Sequence, residues 1–490
     1  MSLKILLTTT AAVLLISSSA QLQTVSKKNT EKRSPNIVII FCDDMGYGDI
    51  SQFGATMYTT PNLDKLAAQG MTFRQFYAAE AVCSASRAGL LTGCYPNRIG
   101  IFNALMPWSK NGLSSEEKTI AEIVKEKNYA TAAFGKWHVG WQKQFLPLQH
   151  GFDEYVGLPY SNDMWPVDFD GNPITDTSNW KSKYPPLPLI QGNETLKTIN
   201  TLEDQATLTT LYTEKAVDFI TRNKNKPFFL YLPHSMPHVP IAASAKFRGK
   251  SKQGLYGDVI MEIDWSVGEI MKTLKKYNLE KNTLVIFTSD NGPWLNFGNH
   301  AGNTGGLREG KGASWEGGQK EPCIMRWPDV IPAGTVCNKL ASTIDLLPTI
   351  AAITNGKLPD HKIDGVNILS LMKNEPGAEP RRIFYYYYGV NKLEGVRKDQ
   401  WKLVLPHTGR SYEGFAPGKD GHPGKTDENR KTELALFDLR RDPGERYDVK
   451  DYYPEVVKEL QQLAEEARED LGDALTNRKG KFVREAGHAE

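Results

Sequence analysis

The chain has 490 residues, 40% hydrophobic and 24% charged, enough apolar material for one or two large cores, which excludes a fibrous or disordered protein. Lys and Arg total 59 against 57 Asp and Glu, a formal charge of +2, too small to predict nucleic acid or an anionic membrane as partner. Beyond the first twenty residues no apolar run is long enough to span a bilayer.

Residues 1–20 read as a secretory signal peptide: Lys4, an apolar run centred on Ala11–Ile16, then Ser18-Ser19-Ala20 with cleavage after Ala20. The mature protein is therefore expected to be exported, to a periplasm or the medium, or to a lysosome in a eukaryote. Residues 21–34 form a polar linker. Five cysteines, Cys42, Cys83, Cys94, Cys323 and Cys337, leave at least one without an intramolecular partner. Cys83 is the candidate, while Cys323 and Cys337 could bridge. Asn193-Glu194-Thr195 is a glycosylation sequon, of consequence only in a eukaryotic secretory pathway.

Asn36–Phe41 is a continuous apolar run, the pattern of a strand buried on both faces, and it stops at Asp43-Asp44. The same grammar returns three times. Ala130–Phe134 runs into Gly135-Lys136-Trp137-His138, Pro227–Leu232 into His234 and His238, and Thr283–Thr288 into Asp290-Asn291. Helical patterns at Pro61–Gln69, Glu116–Lys127, Glu203–Arg222 and Tyr256–Tyr277 alternate with these strands. The fold class is α/β, a large mixed, mostly parallel sheet between helices, whose ligands bind beyond the carboxyl ends of the strands.

From Arg381 the pattern changes to a smaller α+β subdomain. Ile383–Tyr388, Lys402–Leu405 and Glu433–Leu439 read as short antiparallel strands, Thr408–Lys431 as a Gly-, Pro- and charge-rich loop, and Glu455–Leu471 as an amphipathic closing helix. Residues Thr476–Glu490 are expected to be loosely ordered. The expected divisions are thus 1–20, 21–34, a catalytic domain at 35–380 and a C-terminal subdomain at 381–490.

Cys83-Ser84-Ala85-Ser86-Arg87 opens a predicted helix, with the thiol at the positive end of the helix dipole and Arg87 on the same face, an arrangement suited to an anion. In isolation it reads equally as a small buried cysteine beside a solvated arginine. Asp43, Asp44, Asp290 and Asn291 are hard oxygen ligands without thiolates nearby, a set for calcium or magnesium rather than zinc. Lys136, His138, His238, Lys311 and Arg87 would surround such an ion with positive charge and donors, as a tetrahedral dianion or ester requires.

Cys83-Ser84-Ala85-Ser86-Arg87 followed by Leu91-Thr92-Gly93 resembles the signature of the formylglycine-dependent type I sulfatases, most closely their arylsulfatase A and N-acetylgalactosamine sulfatase branch. The likeness extends through Gly135-Lys136-Trp137-His138, Pro237-His238, Ser289-Asp290-Asn291-Gly292 and Lys311 with Trp315-Glu316-Gly317-Gly318. It ends in Leu436-Phe437-Asp438-Leu439 with Asp442-Pro443 and Glu445. The resemblance implies an alkaline phosphatase-like fold and a sulfuric ester hydrolase. In that family a maturation enzyme, formylglycine-generating or anaerobic, oxidises the cysteine, here Cys83, to formylglycine (3-oxoalanine). One hydroxyl of its hydrate takes the sulfate and the second helps to expel it.

By the same likeness Asp43, Asp44, Asp290 and Asn291, with the modified Cys83, would hold calcium. Arg87 and His138 would position the formylglycine, and Lys136, His238 and Lys311 would bind sulfate. His238 would protonate the leaving oxygen, with His234 as the alternative. Ala85 stands where proline is more common, a permitted variant. A sulfated carbohydrate such as a glycosaminoglycan or algal polysaccharide is the implied substrate. Loops Pro159–Lys183, with Trp165, and Trp294–Arg308, together with Asn103 and Trp108, could line its pocket, although Trp165 or Trp294 could equally pack a loop. A phosphonate or phosphodiester hydrolase of the same superfamily, or a non-catalytic glycan-binding relative, is the alternative.

Overall fold

The computed structural model describes residues 33–490, so the expected signal peptide and most of the linker lie outside the described residues. Residues 34–490 pack as one compact unit. Its central sheet has ten strands. They are β1 (Asn36–Cys42), β2 (Met71–Phe73), β3 (Ala130–Phe134), β4 (Glu154–Gly157), β5 (Leu187–Gln191), β6 (Glu194–Ile199), β7 (Phe228–Pro233), β8 (Thr283–Ser289), β9 (Cys323–Arg326) and β10 (Thr335–Cys337). Their spatial order is β10-β2-β9-β8-β1-β7-β3-β4-β5-β6. Strands β8, β1, β7, β3 and β4 run parallel. Antiparallel β9 flanks them on one side, and the β5–β6 hairpin on the other.

Every residue of β1 is buried because successive side chains enter different cores. Val38, Ile40 and Cys42 pack with helices Pro61–Ala68, Leu208–Arg222 and Leu255–Lys276. Ile37, Ile39 and Phe41 pack on the opposite face with Cys83–Thr92, Ile120–Lys125 and Leu346–Thr354. The four strands singled out by their charged endings are consecutive in space, so their polar ends converge on one edge.

At the C-terminal end, Ile383–Tyr388, Lys392–Lys398, Trp401–Val404 and Ala435–Asp438 form an antiparallel sheet. Helix Pro454–Leu471 covers it with Leu460, Ala464, Ala467 and Leu471. Two sequence expectations fail here. The expected loop at 408–431 contains an antiparallel pair, His407–Ser411 with Asp427–Thr432, whose residues are mostly polar and solvent-facing and so carry no apolar alternation. Nor is the tail loose: Gly487–His488 pairs with Asn111–Gly112, Arg484 N donates to Arg98 O at 2.6 Å, and the Arg484 guanidinium holds Glu117 at 2.5 and 2.9 Å.

All five cysteines are free and buried. Cys323 and Cys337 both pair with Phe73, on either side of β2. Two strand spacings, about 9–10 Å, separate them, beyond the reach of a disulfide. Among the described residues no helix is long and apolar enough to cross a membrane.

Candidate active site

Strand ends deliver the site. Asp290 N donates to Cys42 O at 3.1 Å, which locks the end of β8 to that of β1, and Asp44 N reaches back to Asp290 Oδ1 at 3.0 Å. Asp44 and His138 hold left-handed backbone, with φ of 62° and 61°, a conformation non-glycine residues keep only where the surroundings fix it. Gly135 has a positive φ, and a Cβ there would meet Pro233 O at 1.8 Å. Only glycine lets the chain cross there, where Lys136 N donates to that same carbonyl at 2.7 Å.

Within this frame three buried carboxylates face three buried cations. Arg87 sends Nε and Nη2 to Asp290 Oδ2 at 3.0 and 2.7 Å, and Nη1 to the Lys136 carbonyl at 2.9 Å. Lys136 Nζ donates to Asp43 Oδ2 at 2.6 Å, and Lys311 Nζ lies 2.8 Å from Asp44 Oδ1. Asn291 Nδ2 donates to Asp44 Oδ1 at 2.7 Å. Burial would raise the Asp43 carboxyl, but Lys136 and Arg87 outweigh it and hold the group far below the usual range. Burial and the adjacent Asp43 push Asp290 upward against the pull of Arg87.

His238 is fixed by Nδ1, which donates to Val239 O at 2.5 Å; Nε2 faces Asp44 Oδ2 at 3.6 Å and Ser161 Oγ at 3.4 Å. The proton that can come and go therefore sits on Nε2. Burial and Lys311 lower the pKa of this ring. His138 Nε2 donates to Leu105 O at 2.9 Å, leaving a buried Nδ1 without a partner.

Cys83 begins helix Cys83–Thr92, a helix with no exposed residue because it runs beneath the site. Gly312 N, next to Lys311, donates to Ala81 O at 2.8 Å and draws that lysine toward the helix start. Burial pushes the Cys83 thiol upward, Lys136 and Lys311 offsetting only part of this. The unmodified side chain is thus a neutral thiol, a poor nucleophile.

All ten residues predicted from sequence meet at this edge. His234 does not: its Nε2 pairs with Ser266 Oγ at 3.1 Å and its ring packs near Tyr212, inside the core. Sequence inspection missed Ser161, whose Oγ accepts from Lys136 Nζ at 3.1 Å. A lone serine in a loop after β4 gives no local signal; only the fold carries it to the lysine.

A cleft of about 270 Å³ adjoins the site, lined by Asp163, Phe169, Trp180, Lys181, Trp294, Phe297 and Arg410 among others. Trp294 joins it to the charged cluster, its ring 5.6 Å from that of His238 and 4.6 Å from Lys311 Nζ. Trp165 is instead buried in the core at 1% exposure. Asn103 turns the chain at φ 55° and lies outside the cleft lining.

The residues fit a hard divalent cation. Ligand atoms of Asp43, Asp44 and His238 lie within 4.8 Å of one another. Two buried oxygens, Asp43 Oδ1 and Asn291 Oδ1, have no hydrogen-bond partner, a costly state that a cation would relieve. The three carboxylates are paired with the three cations, and Asp163 adds a fourth carboxylate that faces His238 and Lys311. A divalent ion would leave the pocket net positive, suited to an anionic ester group.

The sulfatase family profile matches residues 35–356, and that of the C-terminal region of aryl-sulfatase matches 379–485. The chain is 39% identical over 464 residues to N-acetylgalactosamine-6-sulfatase of Mus musculus, covering 89% of this chain and 86% of the relative. To arylsulfatase A of Homo sapiens it is 36% identical over 460 residues, 88% and 87% of the two chains. The crystal structure of the PsFucS1 sulfatase from Pseudoalteromonas sp. superposes with a TM-score of 0.79 at 26% identity, covering 89% of this chain and 90% of that one. The chain belongs to the sulfatase family, in the branch of arylsulfatase A and N-acetylgalactosamine-6-sulfatase, and is a sulfuric ester hydrolase.

Proposed function

We propose that the protein removes sulfate from a sulfated glycan at a site holding calcium, with formylglycine formed from Cys83. The observation that carries this is the cluster of Asp43, Asp44, Asp290, Arg87, Lys136 and Lys311 around the helix start that presents Cys83. Asp43, Asp44, Asp290 and Asn291 would hold the ion, which would polarise sulfate oxygens. The hydrated aldehyde would supply the hydroxyl that attacks sulfur and a second that helps release it, which a neutral thiol cannot do.

The side chains present do the rest. Arg87 fixes Asp290 and the Lys136 carbonyl, so the ion-binding carboxylate and a sulfate-binding lysine move as one body. Lys136, Lys311 and Ser161 supply donors to sulfate oxygens, and their charge is preorganised because burial excludes water. His138 is held by the Leu105 carbonyl and would orient the formylglycine. His238 delivers a proton from Nε2 to the departing oxygen, its ring set by the Val239 carbonyl.

Beside this site the cleft of Trp294, Phe169 and Phe297, with Asp163 and Lys181 for hydroxyl contacts, suits the sulfated sugar. The names of the relatives support a glycan, N-acetylgalactosamine 6-sulfate among them. The signal-like residues 1–20 support export. A maturation enzyme is the required partner.

Rates on an aryl sulfate, an aryl phosphate and an aryl phosphonate test this reading. Preference for the sulfate by orders of magnitude is expected. Preference for a phosphorus ester would favour the phosphonate or phosphodiester hydrolase instead.

A further inference from the structure

Next to the cleft two exposed indoles flank a tyrosine that belongs to the core. Trp108 is 53% exposed and Trp180 56% exposed, yet between them lies Tyr184, only 6% exposed. Trp108 stacks flat on Tyr184, ring centroids 5.3 Å apart at 19°, and Trp180 meets the same ring edge-on at 5.4 Å. Leaving two indoles in water forfeits burial energy, and an exposed aromatic group of this size on a soluble protein marks a contact surface.

The trio is continuous with the site at both ends. Trp180 is itself a wall of the cleft that Trp294 connects to His238 and Lys311. Trp108 ends the short segment that starts at Leu105, whose carbonyl accepts from His138 Nε2 at 2.9 Å and whose N–H donates to Ser84 Oγ at 2.9 Å. An occupant of the platform is thereby held at a fixed offset from the reacting centre. Flat ring faces suit the C–H face of a pyranose. The cleft also brings Lys181 and Arg410 against Asp163, Asp168 and Glu428, without an excess of positive charge that would select an acidic sugar.

We propose that Trp108, Tyr184 and Trp180 form a subsite for a neutral sugar ring joined to the sulfated one, which makes the preferred substrate an oligosaccharide or polymer rather than a sulfated monosaccharide. This rests on the sulfatase-on-glycan reading above. The platform contributes binding and no chemistry. Its loss raises KM for long substrates and leaves kcat alone.

The test compares Trp108→Ala and Trp180→Ala with the parent enzyme on three substrates: an aryl sulfate, a sulfated monosaccharide, and a disaccharide in which the same sulfated unit is linked to an unsulfated hexose. An aromatic contact of up to about 1.5 kcal/mol corresponds to about a tenfold loss in kcat/KM. For Trp108→Ala that loss is expected on the disaccharide alone, through KM, and Trp108→Phe should restore most of it; Trp180→Ala, which also opens the cleft wall, should lose most on the disaccharide. In parallel, quenching of tryptophan fluorescence reports disaccharide binding to Cys83→Ala protein with and without Trp180.

Equal losses on all three substrates, or none on the disaccharide, overturn the platform. Should the parent enzyme hydrolyse no sulfate ester while its Trp180-dependent binding of the disaccharide persists, the sulfatase reading falls and the platform stands. Turnover of the sulfates without any tryptophan dependence has the opposite meaning.

Discussion

Arg87 grips Asp290 through two nitrogens on one carboxylate oxygen, 3.0 and 2.7 Å away, with both side chains fully buried. Removing one partner strands the other charge in the core, which costs about 3–5 kcal/mol. Arg87→Ala should therefore lower unfolding stability by that amount in urea titration as well as abolish activity. A loss under about 1 kcal/mol would mean that Asp290 finds another partner.

Calcium should stabilise the protein, because only the folded state brings together the buried Asp43 and Asn291 oxygens that accept no hydrogen bond. At a hundredfold excess over Kd the gain is about 2.7 kcal/mol, read as a rise in Tm that a chelator reverses. Asn291→Ala and Asp43→Asn should shrink the rise. An unchanged Tm on adding calcium would count against the site.

His238→Ala should separate substrates by leaving group. A sugar alkoxide needs the proton from Nε2, so its kcat should fall by about 10²–10⁴-fold, whereas a nitrophenyl sulfate, which leaves as a stable anion, should lose far less. Equal losses on both would assign His238 to sulfate binding alone. Paired measurements of kcat on the two esters decide.

A pH effect on stability should arise away from the chemistry. His150 is buried against Trp137, neither ring nitrogen has a hydrogen-bond partner, and burial lowers its pKa from 6.5 to about 4. Because the folded-state value is the lower one, the contribution of this residue is complete above the unfolded pKa of about 6.5 and is lost as the pH falls toward 4, about 3 kcal/mol in all. Melting curves between pH 4 and 7 should show the loss, and His150→Phe should flatten it.

Much of the fold was legible because burial on both faces leaves a plain trace: Asn36–Phe41 could be read as a strand covered on both sides without any partner in view. Likewise the polar stops after four such runs located the site, since in a parallel sheet neighbouring strands end on the same edge. Ser161 escaped because its value depends on Lys136 and His238 arriving from β3 and β7. The pair His407–Ser411 and Asp427–Thr432 escaped because an exposed ladder is held by backbone bonds and charge pairs such as Arg410–Glu428 at 3.0 Å, which leave no hydrophobic period. The tail looked loose for the same reason, yet Arg484 and Gly487 tie it down through polar contacts.

The central claim is that turnover belongs to a modified Cys83 and not to its thiol. Produced with and without a formylglycine-generating enzyme, the protein can be compared by the mass of the peptide containing Cys83, which is about 18 Da lower after conversion. The predicted result is an aryl sulfatase rate proportional to the converted fraction, extrapolating to zero at none and lost altogether in Cys83→Ala. A sample with an intact thiol and full activity would contradict the account.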